Sequence, residues 1–352
     1  MTDTAASGTA GLLERLGAGP VICAEGYLFA LESRGYLTAG PYVPEAVLEH
    51  PDAVAQLHRE FLRAGSDVVL AFTYYAHREK LRLIGREDDL EEMNRTALRL
   101  AREVAAEGNA LVAGNVSNSN IFVDGDADSA RTVRAMFDEQ VGWAVDEGVD
   151  YIVAETIGHA NEALLALEAI KAAGLPAVIT LAIFREPETR EGLSPAEAAR
   201  RLEDAGADVV GLNCVRGPAS MLPLLGPIRE AVDCHVAALP VAYRTGGDDP
   251  TFLSLKDPDC ACLPEGRPFP TALDPFACNR YEIAEFARDA YALGVNYLGV
   301  CCGAAPHHIR SMAEALGRRP PASKYSPDMS RHAYFGTVDE IPAANKAIAD
   351  TL

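Results

Sequence analysis

The chain is short of positive charge. Lys and Arg number 31 against 51 Asp and Glu, a formal net charge of −20, which argues against nucleic acid or an anionic membrane as a partner. It also lacks a run of about 18 apolar residues, so no membrane span is expected. The first residues, Met-Thr-Asp-Thr-Ala-Ala-Ser-Gly-Thr-Ala, carry neither a basic nor an apolar stretch. No secretory signal is expected, and the protein reads as cytoplasmic. Tryptophan is almost missing, with Trp143 alone in a helical pattern far from any motif. Cysteine is not scarce. Eight cysteines in a 352-residue chain without a signal read as cytosolic thiols, some on a metal, rather than as a disulfide framework.

What is present is a repeated strand–helix rhythm. Apolar runs at 20–25, 67–75, 110–116, 150–155, 177–184, 208–214, 236–243 and 296–302 show little alternation, as strands covered on both faces do. Helical patterns at 53–64, 91–107, 130–147, 160–173, 195–205, 221–231 and 280–293 lie between them. Gly65, Gly108, Gly148, Gly174, Gly206 and Gly294 close helices just before the next strand, a repeated C-cap signal. Eight such units favour a closed α/β architecture, a (β/α)8 TIM barrel over 1–317. Two stretches break the rhythm. Residues 245–277 are loop-like and carry Cys260 and Cys262, a segment expected to serve as a lid or oligomer contact; the two cysteines would hold a second metal or oxidise. Residues 318–352 begin Arg-Arg-Pro-Pro and hold several aromatics. They read as a C-terminal arm that packs on another subunit of a dimer or tetramer.

Three thiols carry the chemistry. Cys214 closes Ala207-Asp-Val-Val-Gly-Leu-Asn-Cys214, and Cys301 and Cys302 close Val295-Asn-Tyr-Leu-Gly-Val-Cys-Cys302. The carboxyl ends of barrel strands are where such folds place reactive groups. Neighbouring residues of a strand point to opposite faces, so Cys301 and Cys302 share an ion only if the chain turns there, and Gly303 permits the turn. Three soft thiolates select Zn2+ and leave one tetrahedral position open to a substrate thiol. His307 and His308 open a helix, where packing at its N-terminus accounts for them better than ligation. Cys23, Cys234 and Cys278 read as structural.

Polar residues at other strand ends are candidates for substrate contacts. Glu155 ends the apolar Tyr151-Ile-Val-Ala-Glu155, and an unpaired carboxylate there would be costly to bury; an ammonium group would pair it. Asn115, Ser117 and Asn118 end the third run and Asn213 precedes Cys214, positions suited either to hydrogen bonding of substrate or to loop capping. Tyr42, Tyr74 and Tyr75 are candidates for an aromatic cage around an onium donor, or for rim packing.

These segments resemble the zinc-dependent homocysteine S-methyltransferases, and within them the betaine–homocysteine S-methyltransferases. The resemblance rests on Phe29-Ala-Leu-Glu-Ser-Arg-Gly-Tyr36 with Ala39-Gly-Pro-Tyr42, Leu57-His-Arg-Glu-Phe-Leu-Arg-Ala-Gly-Ser66 and Phe72-Thr-Tyr-Tyr-Ala76. It extends to Gly211-Leu-Asn-Cys214 and to Gly299-Val-Cys-Cys-Gly303 with Pro306-His-His-Ile-Arg310. It implies a barrel with zinc on Cys214, Cys301 and Cys302 and methyl transfer to a small-molecule thiol. It also implies that Tyr75 fills the fourth zinc position without substrate, and that Glu155 contacts the amino acid acceptor. The first strand departs from the family's Asp-Gly-Gly. It reads Cys23-Ala-Glu-Gly-Tyr27, with Ala24 at the Asp position and Glu25 at the first glycine. Either Glu25 substitutes from the next position, or the acceptor binds in another pose. Tyr42 stands where the donor-site tryptophan is expected. The sequence reading is therefore a zinc S-methyltransferase acting on homocysteine with a glycine-betaine-like donor. Its rivals are a sulfonium donor or another thiol acceptor with the same chemistry, and a zinc-binding barrel without catalysis.

Overall fold

The computed structural model describes residues 10–349 and 351–352. Eight parallel strands close on themselves in sequence order, β1 (Val21–Ala24), β2 (Val68–Leu70), β3 (Leu111–Ser117), β4 (Tyr151–Ile157), β5 (Ala177–Leu181), β6 (Val209–Asn213), β7 (His235–Leu239) and β8 (Tyr297–Val300). β8 returns to pair with β1, Val21 opposite Tyr297 and Ala24 opposite Val300. This is the expected (β/α)8 barrel. A helix follows each strand, from Pro51–Ala64 after β1 to Pro306–Ala315 after β8. Each helix lays its apolar stripe on the barrel: Val54, Leu57 and Phe61 are buried on the first, as amphipathic spacing requires. Five of the six expected glycine caps are in the left-handed conformation. The exception is Gly108, which stays helical while Asn109 takes φ 54°, the other residue type that tolerates it.

The amino ends of the strands are fastened by one repeated device. Asp67, Asp150 and Asp208 sit just before β2, β4 and β6. Each accepts a neighbouring strand's N–H, from Ile22 at 2.8 Å, Val112 at 2.7 Å and Ala177 at 2.8 Å. Inside the barrel the hydroxyls of Tyr151 and Tyr297 meet at 3.0 Å, both residues fully buried. Cys23 and Cys278 are buried and Cys234 half-buried, outside the thiol cluster described below.

The strands stop earlier than the apolar runs predict. β2 ends at Leu70 rather than 75, β5 at Leu181 rather than 184 and β7 at Leu239 rather than 243. Most of the residues beyond are still buried, but they leave the regular ladder across the mouth: Pro240 cannot donate to it, and Tyr75 adopts φ 60°. Two glycines let the strands that carry the thiols lie close to their neighbours. A Cβ at Gly211 would lie 2.0 Å from the Ala237 carbonyl oxygen, and one at Gly299 1.9 Å from that of Cys23.

Residues 245–277 lie over the carboxyl-end mouth, contributing Phe252, Leu253 and Phe269 to the cavity there; Cys260 and Cys262 are joined as a disulfide. Beyond the last barrel helix, Arg318 pairs with Asp67 and Arg63 lies 5.5 Å over the Tyr325 ring. The rest of the arm exposes Met329 and Phe335. Among the described residues no helix is long and apolar enough to cross a membrane.

Candidate active site

β6 and β8 deliver the three thiols, with β7 between them as a common support. The Cys214 N–H donates to Leu239 O at 2.9 Å, the Cys301 N–H to Pro240 O at 2.8 Å, and Cys302 O accepts from the Ala242 N–H at 2.8 Å. β8 has already ended at Val300, and Gly303 turns at φ 79°, so Cys301 and Cys302 leave the strand's alternation and face the same point. The Cys214 and Cys302 sulfurs are 3.6 Å apart and those of Cys301 and Cys302 3.9 Å; all three lie within 4.8 Å of one another. Thiolates on one tetrahedral zinc at roughly 2.3 Å would be about 3.8 Å apart, so the spacing fits such an ion. Contacts from the other two sulfurs hold the Cys214 thiol well below the usual range, while the hydrogen bonds to Cys214, then burial and its charge, push Cys301 and Cys302 up. A cluster crowded enough for one thiolate to suppress the others is one that a cation relieves.

Two carboxylates adjoin the thiols. Glu25 and Glu155 each place an oxygen within 4.8 Å of Cys301 Sγ and of each other. Burial pushes Glu155 up to about 7, against hydrogen bonds from Asn115, Thr156 and Asn213. Burial, then the charge of Glu155, raises Glu25 well above the carboxylate range. Asn115 Nδ2 donates to Glu155 Oε1 at 2.5 Å. Asn213 Nδ2 reaches Glu155 Oε2 at 2.8 Å and Glu25 Oε2 at 3.4 Å. Glu25 Oε1 and Asn115 Oδ1 remain buried without a partner, acceptors waiting for donors. No side chain at Ala24 reaches this pocket, and Glu25 lines it.

Above the thiols opens a cavity of ≈ 390 Å³ lined by Tyr42, Tyr74, Tyr75, Cys214, Cys302 and the cover residues Phe252 and Phe269, among others. Phe29 bridges Tyr42 at 5.5 Å and Phe252 at 6.1 Å between ring centres. Tyr74 and Tyr75 lie 4.2 Å apart, and Lys80 Nζ stands 4.0 Å over the Tyr75 ring, so one face of that ring already holds a cation. The Tyr75 hydroxyl interacts with Tyr74, Asn118 and Asn120. Tyr42, Tyr75, Thr156, Cys214 and Val215 all have φ between 52° and 60°. Non-glycine residues held there carry strain, which gathers at working sites.

His307 and His308 stay out of the thiol cluster. His308 Nδ1 accepts the Ala305 N–H at 3.2 Å and its Nε2 faces Cys278 O at 2.9 Å, a helix-capping role. Sequence reasoning assigned no site role to Thr156 or Arg216. Thr156 Oγ1 meets both Glu155 and Asn213. Buried Arg216 donates to the carbonyls of Ile183, Phe184 and Arg185; its place two residues past Cys214 was the available signal.

The (β/α)8 barrel thus brings three converging thiols and a paired-carboxylate pocket together at its carboxyl end. The family model of homocysteine S-methyltransferases matches residues 26–316; the chain belongs to that family and is a methyltransferase. It is 42% identical over 344 residues to betaine–homocysteine S-methyltransferase 1 of Danio rerio, covering 93% of this chain and 80% of the relative. It is 39% identical to S-methylmethionine–homocysteine S-methyltransferase BHMT2 of Pongo abelii, covering 89% and 84%. Among solved structures, the metallated form of the homocysteine methyltransferase MmuM from Escherichia coli shares the fold with TM-score 0.66 at 18% identity, over 85% of this chain and 97% of that one.

Proposed function

We propose that the protein transfers a methyl group from an onium donor of the glycine-betaine type to the thiol of homocysteine, giving methionine, with Zn2+ on Cys214, Cys301 and Cys302. The observation that carries this is the convergence of three sulfurs at tetrahedral spacing beside two buried carboxylates. Zinc bound there would hold the acceptor as a thiolate at neutral pH and fix its orientation.

The chain's own groups do the rest. Glu155, kept in place by Asn115 and Asn213, accepts from the acceptor's ammonium, and Glu25 offers its unpartnered Oε1 to the same group. The acceptor sulfur then attacks a donor methyl carbon, and the carbon–nitrogen bond breaks with its electron pair going to nitrogen. Tyr42, Tyr74 and Tyr75 position the donor. An aromatic cage that only stabilised the cation would slow a step that discharges it, so their contribution is alignment and exclusion of water. Tyr75, with its hydroxyl turned toward Asn118 and Asn120, would take the fourth zinc position only by swinging toward the thiols when no acceptor is bound.

A sulfonium donor is the second reading, favoured by the S-methylmethionine relative; the same tyrosines and the same displacement serve it. The barrel over 1–317 would act with the 318–352 arm as its self-association element, since Tyr325 and Phe335 are 62% and 58% exposed. Methionine formation from homocysteine by zinc-loaded protein with glycine betaine tests the reading. No product with any onium donor would reject it.

A further inference from the structure

We infer that Arg190 is the anchor for a carboxylate on the methyl donor, so that the site takes zwitterionic onium carboxylates rather than simple onium cations. This rests on the onium-donor reading above. Of the residues lining the ≈ 390 Å³ cavity, Arg190 is the sole Lys or Arg. Its guanidinium lies 4.8 Å from the centre of the Phe184 ring and makes no hydrogen bond or ion pair among the described residues. Carboxylates nearby are engaged elsewhere. Glu162 Oε1 accepts from the Ser119 N–H and hydroxyl at 2.7 and 2.6 Å. Glu191 accepts the Asn161 N–H at 3.0 Å and faces His159 at 3.6 Å.

The arginine is held in position rather than carried on a loose loop. Its N–H donates to Gly158 O at 2.9 Å, and Thr189 receives the Gly192 N–H at 2.9 Å and the Leu193 N–H at 3.2 Å. Arg216 ties the preceding residues down through three carbonyls. Gly158 makes room for the side chain: a Cβ there would lie 2.8 Å from Arg190 Nε and 3.1 Å from its Cδ.

The chemistry sets the donor's direction. The methyl to be moved must meet the acceptor sulfur, so the onium group lies at the thiol end, between Tyr42, Tyr74 and Tyr75. The remainder of the donor then extends outward, toward Phe184 and Arg190. A planar guanidinium backed by an aromatic face presents its fork to a carboxylate. Phe252 and Phe269 line the same cavity, while Arg190 itself is solvent-exposed, so its fork is open to a donor entering from outside.

The test uses full-length zinc-loaded protein with homocysteine and two donors: glycine betaine, and trimethylsulfonium, which has no carboxylate. Binding is read by calorimetry and methyl transfer by methionine formation, for wild type, Arg190→Ala and Arg190→Lys. Loss of an exposed charge pair should raise the Kd and KM of glycine betaine about fivefold in Arg190→Ala, less in Arg190→Lys, with trimethylsulfonium changed under about twofold. Equal losses for both donors would mean that Arg190 only supports the fold. An unchanged glycine betaine Kd, or none measurable in wild type, would also overturn the assignment. Arg190-dependent binding of glycine betaine without methionine would reject the methyl-transfer reading and leave the anchor standing.

Discussion

Asn213 binds Glu155 and its successor together: Nδ2 donates to Glu155 Oε2 at 2.8 Å while Oδ1 accepts the Thr156 N–H at 2.8 Å. The residue next to Cys214 thereby sets the direction of the carboxylate proposed to receive the acceptor. Asn213→Ala removes both bonds and leaves a buried N–H and a buried carboxylate short of partners, costing about 1–3 kcal/mol of stability. Homocysteine KM should rise about tenfold, a loss of the size of one such hydrogen bond. Steady-state kinetics at fixed donor, with a parallel denaturation curve, checks this; an unchanged KM would remove Asn213 from the acceptor site.

Replacing Cys214, Cys301 or Cys302 by Ala should each strip most of the zinc, from about one ion per chain, and abolish methionine formation. Metal analysis of the purified variants decides the matter. Full zinc retention in both Cys301→Ala and Cys302→Ala would place the ion elsewhere.

Glu155→Gln and Glu25→Gln should each raise homocysteine KM while zinc content stays at the wild-type level, because each removes a carboxyl group that would pair the ammonium and neither removes a sulfur. If a thiol lacking an ammonium group is methylated as well as homocysteine, the two carboxylates do not serve recognition.

Tyr42→Ala and Tyr74→Ala should weaken donor use with little effect on the acceptor, each by roughly 0.5–2 kcal/mol. Tyr75→Ala should affect both. Its ring already faces Lys80 at 4.0 Å, so Lys80→Met is a companion variant. An improved donor KM there would show that the ammonium competes with the donor for Tyr75. Wild-type donor kcat/KM in all three alanine variants would reduce the tyrosines to rim packing.

Acid should destabilise the fold. Burial lowers His58 to about 3, His77 to about 4 and His308 to about 4, all three at most 3% exposed. Unfolded, these rings take up protons near pH 6.5. Between there and about pH 4 the unfolded chain binds more protons than the folded one, so stability falls as pH falls, by up to about 1.4 kcal/mol per pH unit for each ring. Glu155 and Glu25, raised by burial, work the other way over this range, so chemical denaturation from pH 7 to 5 of the metal-free Glu25→Gln/Glu155→Gln variant should show this slope; a flat profile there would mean that the rings are protonated in place.

The barrel was legible because its signals are local and repeated: buried apolar runs, most of them delivered by a helix closing on Gly or Asn. The thiol cluster was legible because three cysteines at strand ends have one common use. Strand ends were not, since apolar residues such as Ile183 and Val241 are buried with or without a ladder partner. The surroundings of the cavity were harder still. Phe252 meets Phe29 across 223 residues of sequence, and no local pattern encodes such a meeting. Lys80 over Tyr75 and the left-handed turn at Thr156 depend likewise on packing, not composition. The bond between Cys260 and Cys262 was one of two readings left open by their spacing.

Gly211 and Gly299 reach no substrate and ligate nothing, yet each meets a neighbouring carbonyl where a single extra carbon has no room. They set how closely β6 lies against β7 and β8 against β1, and so where the two strands present the sulfurs borne three residues beyond one and two beyond the other. A diagnostic signature for this site in other chains is therefore Gly-x-x-Cys together with Gly-x-Cys-Cys. A homologue that keeps every cysteine but carries alanine at either glycine should be sorted among those that have lost the ion.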